Sequence, residues 1–316
     1  MKILQVTNIV SHHQLPLARE LCGLVGAENF RFAALQGADP SRTENGWKSD
    51  YSESWIIGPS ESSADREEFE RFWDEADVVL CGERLIEKMQ ERVSQGKLVF
   101  YMSERWWKPP IGAFRLLHPG FLRKFLKFLT LSKSEYFHYL PTGPFAAQDL
   151  GLFTSMKGRT WSWGYFTETP EVKRHSIQTR QRDEPLKVLW VGRMLPCKRV
   201  DLLIRAVARI NDAGQRLHLT LIGDGTERKK LEKLAARLLD SDDYKMEGFI
   251  PASEVPQVMA EHDIYVLPSN SYEGWGAVVN EAMAVGCAVI ASDQTGAGQS
   301  LIEHCFNGLL FKSGSI

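Results

Sequence analysis

The sequence predicts an α/β chain made of two doubly wound, parallel-sheet domains. Three observations predict it. Short apolar runs with strand character alternate with longer helical segments, a pattern that places parallel strands between two layers of helix. A polar, charged stretch without periodicity, 167–185, separates two such series and reads as a linker. The length, 316 residues with 43% hydrophobic and 25% charged, suffices for two domains of about 150 residues each. The domain limits are therefore 1–166, with a linker over 167–185, and 186–316.

In the first half, K-I-L-Q-V-T at 2–7 reads as a buried strand and 15–24 as the helix that follows. The loop between them holds His12 and His13, just past a strand's carboxyl end, where doubly wound folds receive ligands. The same loop serves equally as a surface turn with Ser11 capping the helix. It carries no G-x-G-x-x-G, which argues against a dinucleotide site of the usual kind. A strand at 32–35 leads into the polar stretch 37–54, expected to be a mobile loop. Strands at 77–81 and 98–101 flank a helix over 84–95 that Gly96 ends. Glu104 follows the second of these strands, beside Arg105, Trp106 and Trp107. It suits either the wall of a ligand cleft or an ion pair with a neighbouring arginine. Residues 111–133 combine Phe114, Phe121, Phe125 and Phe128 with Arg115, Arg123, Lys124, Lys127 and Lys133, without one acid, and Pro119-Gly120 divides them. Such a segment is either a helix packed on the sheet or a surface for an anionic membrane. A short strand at 136–140, a helix at 144–150 and a last strand, W-S-W-G-Y-F at 161–166, complete the half.

The second half opens with the strand 186–191 and then G-R-M-L-P-C-K, with a helix running to about 210. Arg193 and Lys198 flank that helix start. They are surface charges at a turn, or two cations that neutralise a diphosphate and stabilise it as it leaves. The strand 217–222 leads into G-D-G-T-E, where Gly223 lets backbone approach a ligand closely, and a helix covers 227–239. A strand at 244–250 ends at Ile250, and Ser253 is placed to cap the next helix. Asp240-Ser241-Asp242 has the form of a metal-binding D-x-D but falls in an acidic surface loop, so no metal is expected there. After the strand 264–268 and the polar loop 269–272, a helix opens near Gly274-Trp275-Gly276. Two glycines at a strand-to-helix loop favour an anion. Glu273 precedes this point, and Glu281 faces outward from the second helical turn. Two carboxylates there suit hydroxyl groups on either side of a phosphate, such as a ribose and a sugar. The alternative is a solvated acidic face. A strand at 288–292, a loop T-G-A-G-Q-S at 295–300 and a strand at 307–311 end the series.

Composition excludes several classes. A formal net charge of −2 argues against a nucleic-acid binder. Five scattered cysteines without a C-x-x-C pair read as reduced thiols. No apolar run reaches a membrane-spanning length and no signal-peptide core is visible. The expected location is the cytoplasm, with the 111–133 segment allowing peripheral contact with the inner face of the membrane.

The spacing Glu273-x7-Glu281, the A-M-A-x-G that follows at 282–286 and the G-R-x4-K at Gly192–Lys198 together resemble the retaining glycosyltransferases of family 4, which have the GT-B fold. The resemblance implies two Rossmann-like domains facing across a cleft. It also implies a hexosyltransferase that moves a sugar from a nucleotide-diphosphate sugar to an acceptor hydroxyl with retention, in surface polysaccharide or glycolipid synthesis. Arg193 and Lys198 would hold the donor phosphates and stabilise the departing diphosphate. Glu281 would bind the ribose and Glu273 the donor sugar. Backbone at Gly223, Ile250 and Gly274-Trp275-Gly276 would contact the nucleotide. His12, His13 and Glu104 would face a saccharide or lipid-linked acceptor, with no cofactor and no metal. The family pattern G-G-x-x-E is broken here, since Ala297 stands for its second glycine and Ser300 for its glutamate. The chain stops at Ile316, short of the helices that close the family's fold, so the expectation is either a truncated C-terminal domain or a protein that lacks this closure. An epimerase of the same fold, or a non-catalytic sugar-nucleotide-binding subunit, would carry much of the same donor site.

Overall fold

The computed structural model describes residues 1–37, 52–59, 62–108, 111–172 and 184–316. Most of the expected mobile loop at 37–54 and of the linker at 167–185 lies outside them. The chain divides into two compact units, Met1–Thr167 and Glu168–Ile316.

Unit 1 runs β1 (Ile3–Thr7), α1 (Leu15–Val25), β2 (Phe30–Ala34), β3 (Ile56–Ile57), α2 (Ser63–Glu75), β4 (Val78–Cys81), α3 (Ile86–Ser94), β5 (Leu98–Ser103), α4 (Pro119–Leu131), β6 (Phe137–Pro141) and α5 (Pro144–Gly151). Its strands lie in the order β3-β2-β1-β4-β5-β6, all pairs parallel. The twofold alternation of β1 sorts its side chains between two cores. Leu4 and Val6 join Val79, Val99 and the aromatics Phe72, Trp73 and Phe128 on one face. Ile3 joins Phe30, Phe32 and Leu15 on the other. Trp106 and Trp107 are buried with Phe125 and Phe128, edge-on at 5.4 Å between Trp107 and Phe125, so they pack this unit. Gly96, at φ +73°, closes the turn after α3, as its sequence position predicts.

Unit 2 runs β7 (Leu186–Val191), α6 (Val200–Asp212), β8 (Leu217–Ile222), α7 (Arg228–Leu238), β9 (Tyr244–Glu247), α8 (Val255–Ala260), β10 (Ile264–Leu267), α9 (Val278–Ala284), β11 (Ala288–Ser292), α10 (Gly296–Leu301) and β12 (Leu309–Phe311). The order is β12-β11-β10-β7-β8-β9, again all parallel. Trp190, Leu219 and Leu221 of the central strands bury against Ile204, Val207 and Leu231 of α6 and α7.

In both sheets the first strand has neighbours built in opposite directions of chain growth. The order therefore switches between β1 and β4 in unit 1 and between β7 and β10 in unit 2. Loops diverge there beyond the carboxyl ends of the strands, leaving a crevice for a ligand.

Several local expectations are corrected. W-S-W-G-Y-F is not a strand. It follows β6 through single bridges, Tyr139 to Thr160 and Thr142 to Trp163. β9 stops at Glu247, so Ile250 lies beyond it, because Gly248 and Phe249 find no ladder partner in β8. Ser253 caps nothing, since α8 starts at Val255 after Glu254 with no side-chain cap. Ser11 supports α1 through its carbonyl, which accepts from Gln14 and Leu15 at 2.9 and 3.2 Å, rather than through its hydroxyl. The 295–300 loop is the short helix α10.

Candidate functional site

The loops after β7 and β10 meet at the switch point of unit 2. After β7 the chain turns at Gly192, passes Arg193 and Met194, and forms a single 3-10 turn over Pro196–Lys198. Arg199 follows in the left-handed region at φ +50°, so α6 begins at Val200 and Lys198 stands ahead of it. The β10 loop is tied on by its backbone, with Asn270 N–H donating to the Cys197 carbonyl at 2.9 Å.

Lys198 and Glu273, 75 residues apart, form an ion pair between mostly buried side chains. Ser269 donates its hydroxyl to the same Glu273 oxygen at 3.0 Å. A lysine held this way is a positioned cation with one hydrogen-bonding direction committed and two donors left. Arg193 is exposed, on the same loop as Lys198 but not in that pair.

Glycines shape these loops by packing against one another. Gly223 sits at φ +134°, and a Cβ on it would fall 1.9 Å from the Gly192 carbonyl oxygen. Its two neighbouring loops are joined by Met194 N–H donating to the Asp224 carbonyl at 2.7 Å. The glycine expected for approach to a ligand is thus required by loop-on-loop contact. Gly276, at φ +88°, would bring a Cβ within 2.7 Å of a Leu267 methyl, so a side chain in the bend before α9 would be strained by its backbone and would displace that methyl. Gly274 and Trp275 give their carbonyls to Gly296 and Ala297 at 3.2 and 2.8 Å. The Trp275 ring is buried and its N–H donates to Asn280 at 2.8 Å. Any ligand contact from this residue is through its backbone. Ala297 is fully buried and Ser300 exposed.

Two corrections concern the acidic pair. The helix does not open at Gly274–Gly276 but at Val278, two residues later, because the positive φ of Gly276 interrupts it. Glu281 consequently lies in the first turn of α9 and is half-buried instead of facing solvent. Burial pushes its carboxyl from 4.5 up to about 7. Tyr265, buried below and donating weakly to the Val191 carbonyl at 3.4 Å, has its phenol raised by burial first, then by the charges of Glu281 and Glu273. Both carboxylates therefore act on this one phenol. Asp240, Ser241 and Asp242 are exposed in the turn after α7.

Unit 1 has a cavity of about 440 Å³ at its own switch point, lined by residues just past β1, β4 and β5 and by the Trp163–Phe166 stretch. Gln5, His13, Glu104, Trp106, Arg115 and Tyr165 are among its walls. Glu104 pairs with Lys108 at 2.5 Å and accepts from the Tyr165 hydroxyl at 2.8 Å. Burial would raise its carboxyl, but Lys108 and these hydrogen bonds hold it below the ordinary range. The partner is this lysine rather than the expected arginine, because Arg105 turns to Asp149 at 3.0 Å. His13 stacks parallel to Tyr165 at 6.0 Å. Burial, then the adjacent His12, lowers its pKa from 6.5 to about 3, so its ring is neutral at physiological pH. His12 lies against it, with ring centroids 3.8 Å apart. Gln5 was missed from the sequence. It is buried in the middle of β1, and its Oε1 has no partner among the described residues. A glutamine inside K-I-L-Q-V-T was the available signal. Polar side chains interleaved with Trp106 and Tyr165 suit a saccharide, which offers hydroxyls at its edge and C–H groups on its faces.

Residues 172–316 match the family model described as Glycosyl transferases group 1. Among curated proteins, the chain is 33% identical over 136 residues to the amylovoran biosynthesis glycosyltransferase AmsK of Erwinia amylovora, covering 42% of this chain and 33% of that protein. It is 32% identical over 142 residues to the alpha-D-kanosaminyltransferase of Streptomyces kanamyceticus, covering 44% and 36%. The chain thus spans about a third of the length of the curated relatives it matches. Among solved structures, it resembles Anabaena Alr3699/HepE in complex with UDP, at TM-score 0.70 and 18% identity, covering 100% of this chain and 86% of that one. It also resembles the lipopolysaccharide outer core galactosyltransferase WaaB, at TM-score 0.65 and 19% identity, covering 99% and 87%. Two parallel-sheet Rossmann-like domains with these neighbours are the GT-B fold, and the second of them carries the match to the glycosyl transferases group 1 family.

Proposed function

We propose that the chain is a retaining glycosyltransferase that moves a hexose from a nucleotide-diphosphate sugar to a saccharide hydroxyl, in the assembly of a surface polysaccharide or glycolipid. The observation that carries this reading is the Lys198–Glu273 pair at the switch point of unit 2. It sets a cation for the diphosphate beside a carboxylate for sugar hydroxyls. In the reaction the bond from the anomeric carbon to the diphosphate oxygen lengthens first, and negative charge builds on the leaving group. The acceptor hydroxyl oxygen then bonds to that carbon on the same face while its proton passes to the departing diphosphate. Lys198, joined by Arg193, stabilises the charge on the leaving group, and interactions that strengthen as it develops are the ones that accelerate the step. Glu273 then orients the donor sugar and Glu281 the ribose. Both tasks are served by carboxylate acceptors. The backbone of Gly274, Trp275 and Gly276, with Gly223 and Ile250, borders the nucleotide. With two cations placed on the diphosphate, the site operates without a metal. The acceptor saccharide occupies the unit 1 cavity, with Glu104 and His13 on its hydroxyls, and residues 111–133 contact an anionic membrane.

The complexes of Alr3699/HepE with UDP and with UDP-glucose make UDP the first nucleotide to try. Calorimetric titration with UDP, GDP and ADP, followed by nucleotide release from the matching nucleotide-sugar, tests the reading. Release only when a saccharide acceptor is added is the expected result. Interconversion of the nucleotide-sugar without acceptor indicates an epimerase. Donor binding without turnover indicates a non-catalytic subunit.

A further inference from the structure

The stretch after β5 presents two faces. Gly112–Leu117 form a 3-10 helix, in which side chains three apart lie in line. Ile111, Phe114 and Leu117 fall on that line and are 57%, 75% and 79% exposed. Arg115 turns the other way. It donates to the Trp106 carbonyl at 2.8 Å, lies over the Phe121 ring at 4.5 Å and lines the cavity. In α4 the same division continues, with Phe125, Phe128 and Leu131 buried while Leu122 and Leu126, one turn apart, are exposed. The sheet's core is already covered by the buried set, so the exposed leucines and phenylalanine are beyond what packing requires.

Charge decides what covers them. Residues 111–133 contain Arg115, Arg123, Lys124, Lys127 and Lys133 and no acid. A second copy of this surface would bring like charges together, which disfavours self-association. Two of the cations are already balanced, Lys124 by Glu83 at 3.2 Å and Lys127 by Glu87 at 2.6 Å. Electrostatic attraction alone is therefore a weak anchor.

We infer that Ile111, Phe114, Leu117, Leu122 and Leu126 form a membrane-inserting surface, entering the interface of a lipid bilayer while the exposed Arg123 and Lys133 face anionic headgroups. Apolar insertion, rather than the charge of the helix, carries the affinity. The inference sharpens the membrane contact proposed above and is independent of the donor chemistry.

Sedimentation with vesicles tests it, using phosphatidylcholine alone and phosphatidylcholine mixed equally with phosphatidylglycerol. The wild-type chain should sediment with the mixed vesicles and stay partly bound in high salt. Phe114→Ser with Leu117→Ser should lower its partition about tenfold or more, since membrane affinity scales with buried apolar area. Lys124→Glu with Lys127→Glu should lower it less. Circular dichroism and UDP titration on the same variants report whether fold and donor site are intact. The inference is overturned if neither vesicle recruits the wild-type chain, if the serine variant binds as the wild type does, or if the charge variant loses more binding than the serine variant. Conversion of an oligomer to a monomer by the serine pair would overturn it too, by showing that a second copy covers the surface. Failure of UDP to bind would instead count against the donor reading, whatever the vesicles show.

Discussion

Unit 1 reads β3-β2-β1-β4-β5-β6 and unit 2, taken from its other edge, β9-β8-β7-β10-β11-β12. The two sheets share one plan and place their crevices at the same switch point, but they furnish those crevices differently. In unit 2 the loops are short, fixed by glycines whose Cβ positions are occupied by neighbouring backbone, and charged at fixed spacings. In unit 1 the cavity is walled by aromatic rings and by polar groups drawn from distant parts of the chain. On the proposed reading, unit 2 takes a diphosphate, which a small set of charges at fixed distances recognises and which therefore leaves a spaced motif. On the same reading unit 1 takes a saccharide, recognised by surface shape and many weak hydrogen bonds, which leaves none.

The largest effect that tests this contrast should come from Lys198→Ala. On the proposed reading it removes a diphosphate contact and leaves Glu273 mostly buried without its cation, so the rate should fall by about 100-fold or more and UDP affinity with it. Arg193→Ala, on an exposed residue, should lose less, about 1.5–3 kcal/mol at most for one charge-assisted contact. Calorimetry and initial rates measure both, and unchanged nucleotide affinity in the two variants would break the assignment of unit 2.

The two glutamates should then separate. Glu281→Gln should weaken binding of free nucleotide and of nucleotide-sugar alike, as both carry the ribose. Glu273→Gln should spare the free nucleotide and depress kcat with the sugar donor. Equal losses of nucleotide affinity would show that the pair is misassigned while leaving the enzyme class standing.

In unit 1, Glu104→Gln should raise the KM for the saccharide acceptor roughly tenfold, through loss of one charged contact and release of Lys108 and Tyr165. Nucleotide affinity should not move. A change in nucleotide affinity instead would erase the division of labour between the units.

A smaller effect follows from the raised carboxyl of Glu281. Its folded value of about 7 lies above the ordinary 4.5. The folded chain therefore keeps a proton that the unfolded chain gives up, and stability drains away as pH rises through that window. Below 4.5 the cost is absent, and above about 7 it is complete. Glu281→Gln should be more stable than the wild type at pH 8, by on the order of 1–2 kcal/mol after allowing for partial exposure, and should melt at a correspondingly higher temperature. The two should converge near pH 4.5. Parallel melting curves across the range would mean that Glu281 ionises normally. The smallest expected change is none at all: excess EDTA should leave UDP binding as it was, and a strict requirement for Mg2+ or Mn2+ would return Asp240-Ser241-Asp242 to the site.

Apolar alternation and turn residues were enough to read most strands and helices, and with them the parallel sheets, because period and backbone preference are local properties of the chain. The same holds for Glu273, Lys198 and Arg193, whose spacing is written in the sequence. Tertiary structure alone decided which of these groups meet. Lys198 reaches Glu273 across 75 residues and Tyr165 reaches Glu104 across 61, and no local pattern encodes either. It also decided the state of each group. Glu281 sits in a first turn because Gly276 delays its helix, and its burial there moves its pKa. Gly223 is fixed by the Gly192 carbonyl, and Gln5 becomes part of a cavity wall only when β4 pairs with β1 and β5 with β4. Where an ion pair forms and how far a carboxyl titrates depend on desolvation and on partners distant in sequence. Those are set by the packing of strands and loops that the sequence specifies only through the finished fold.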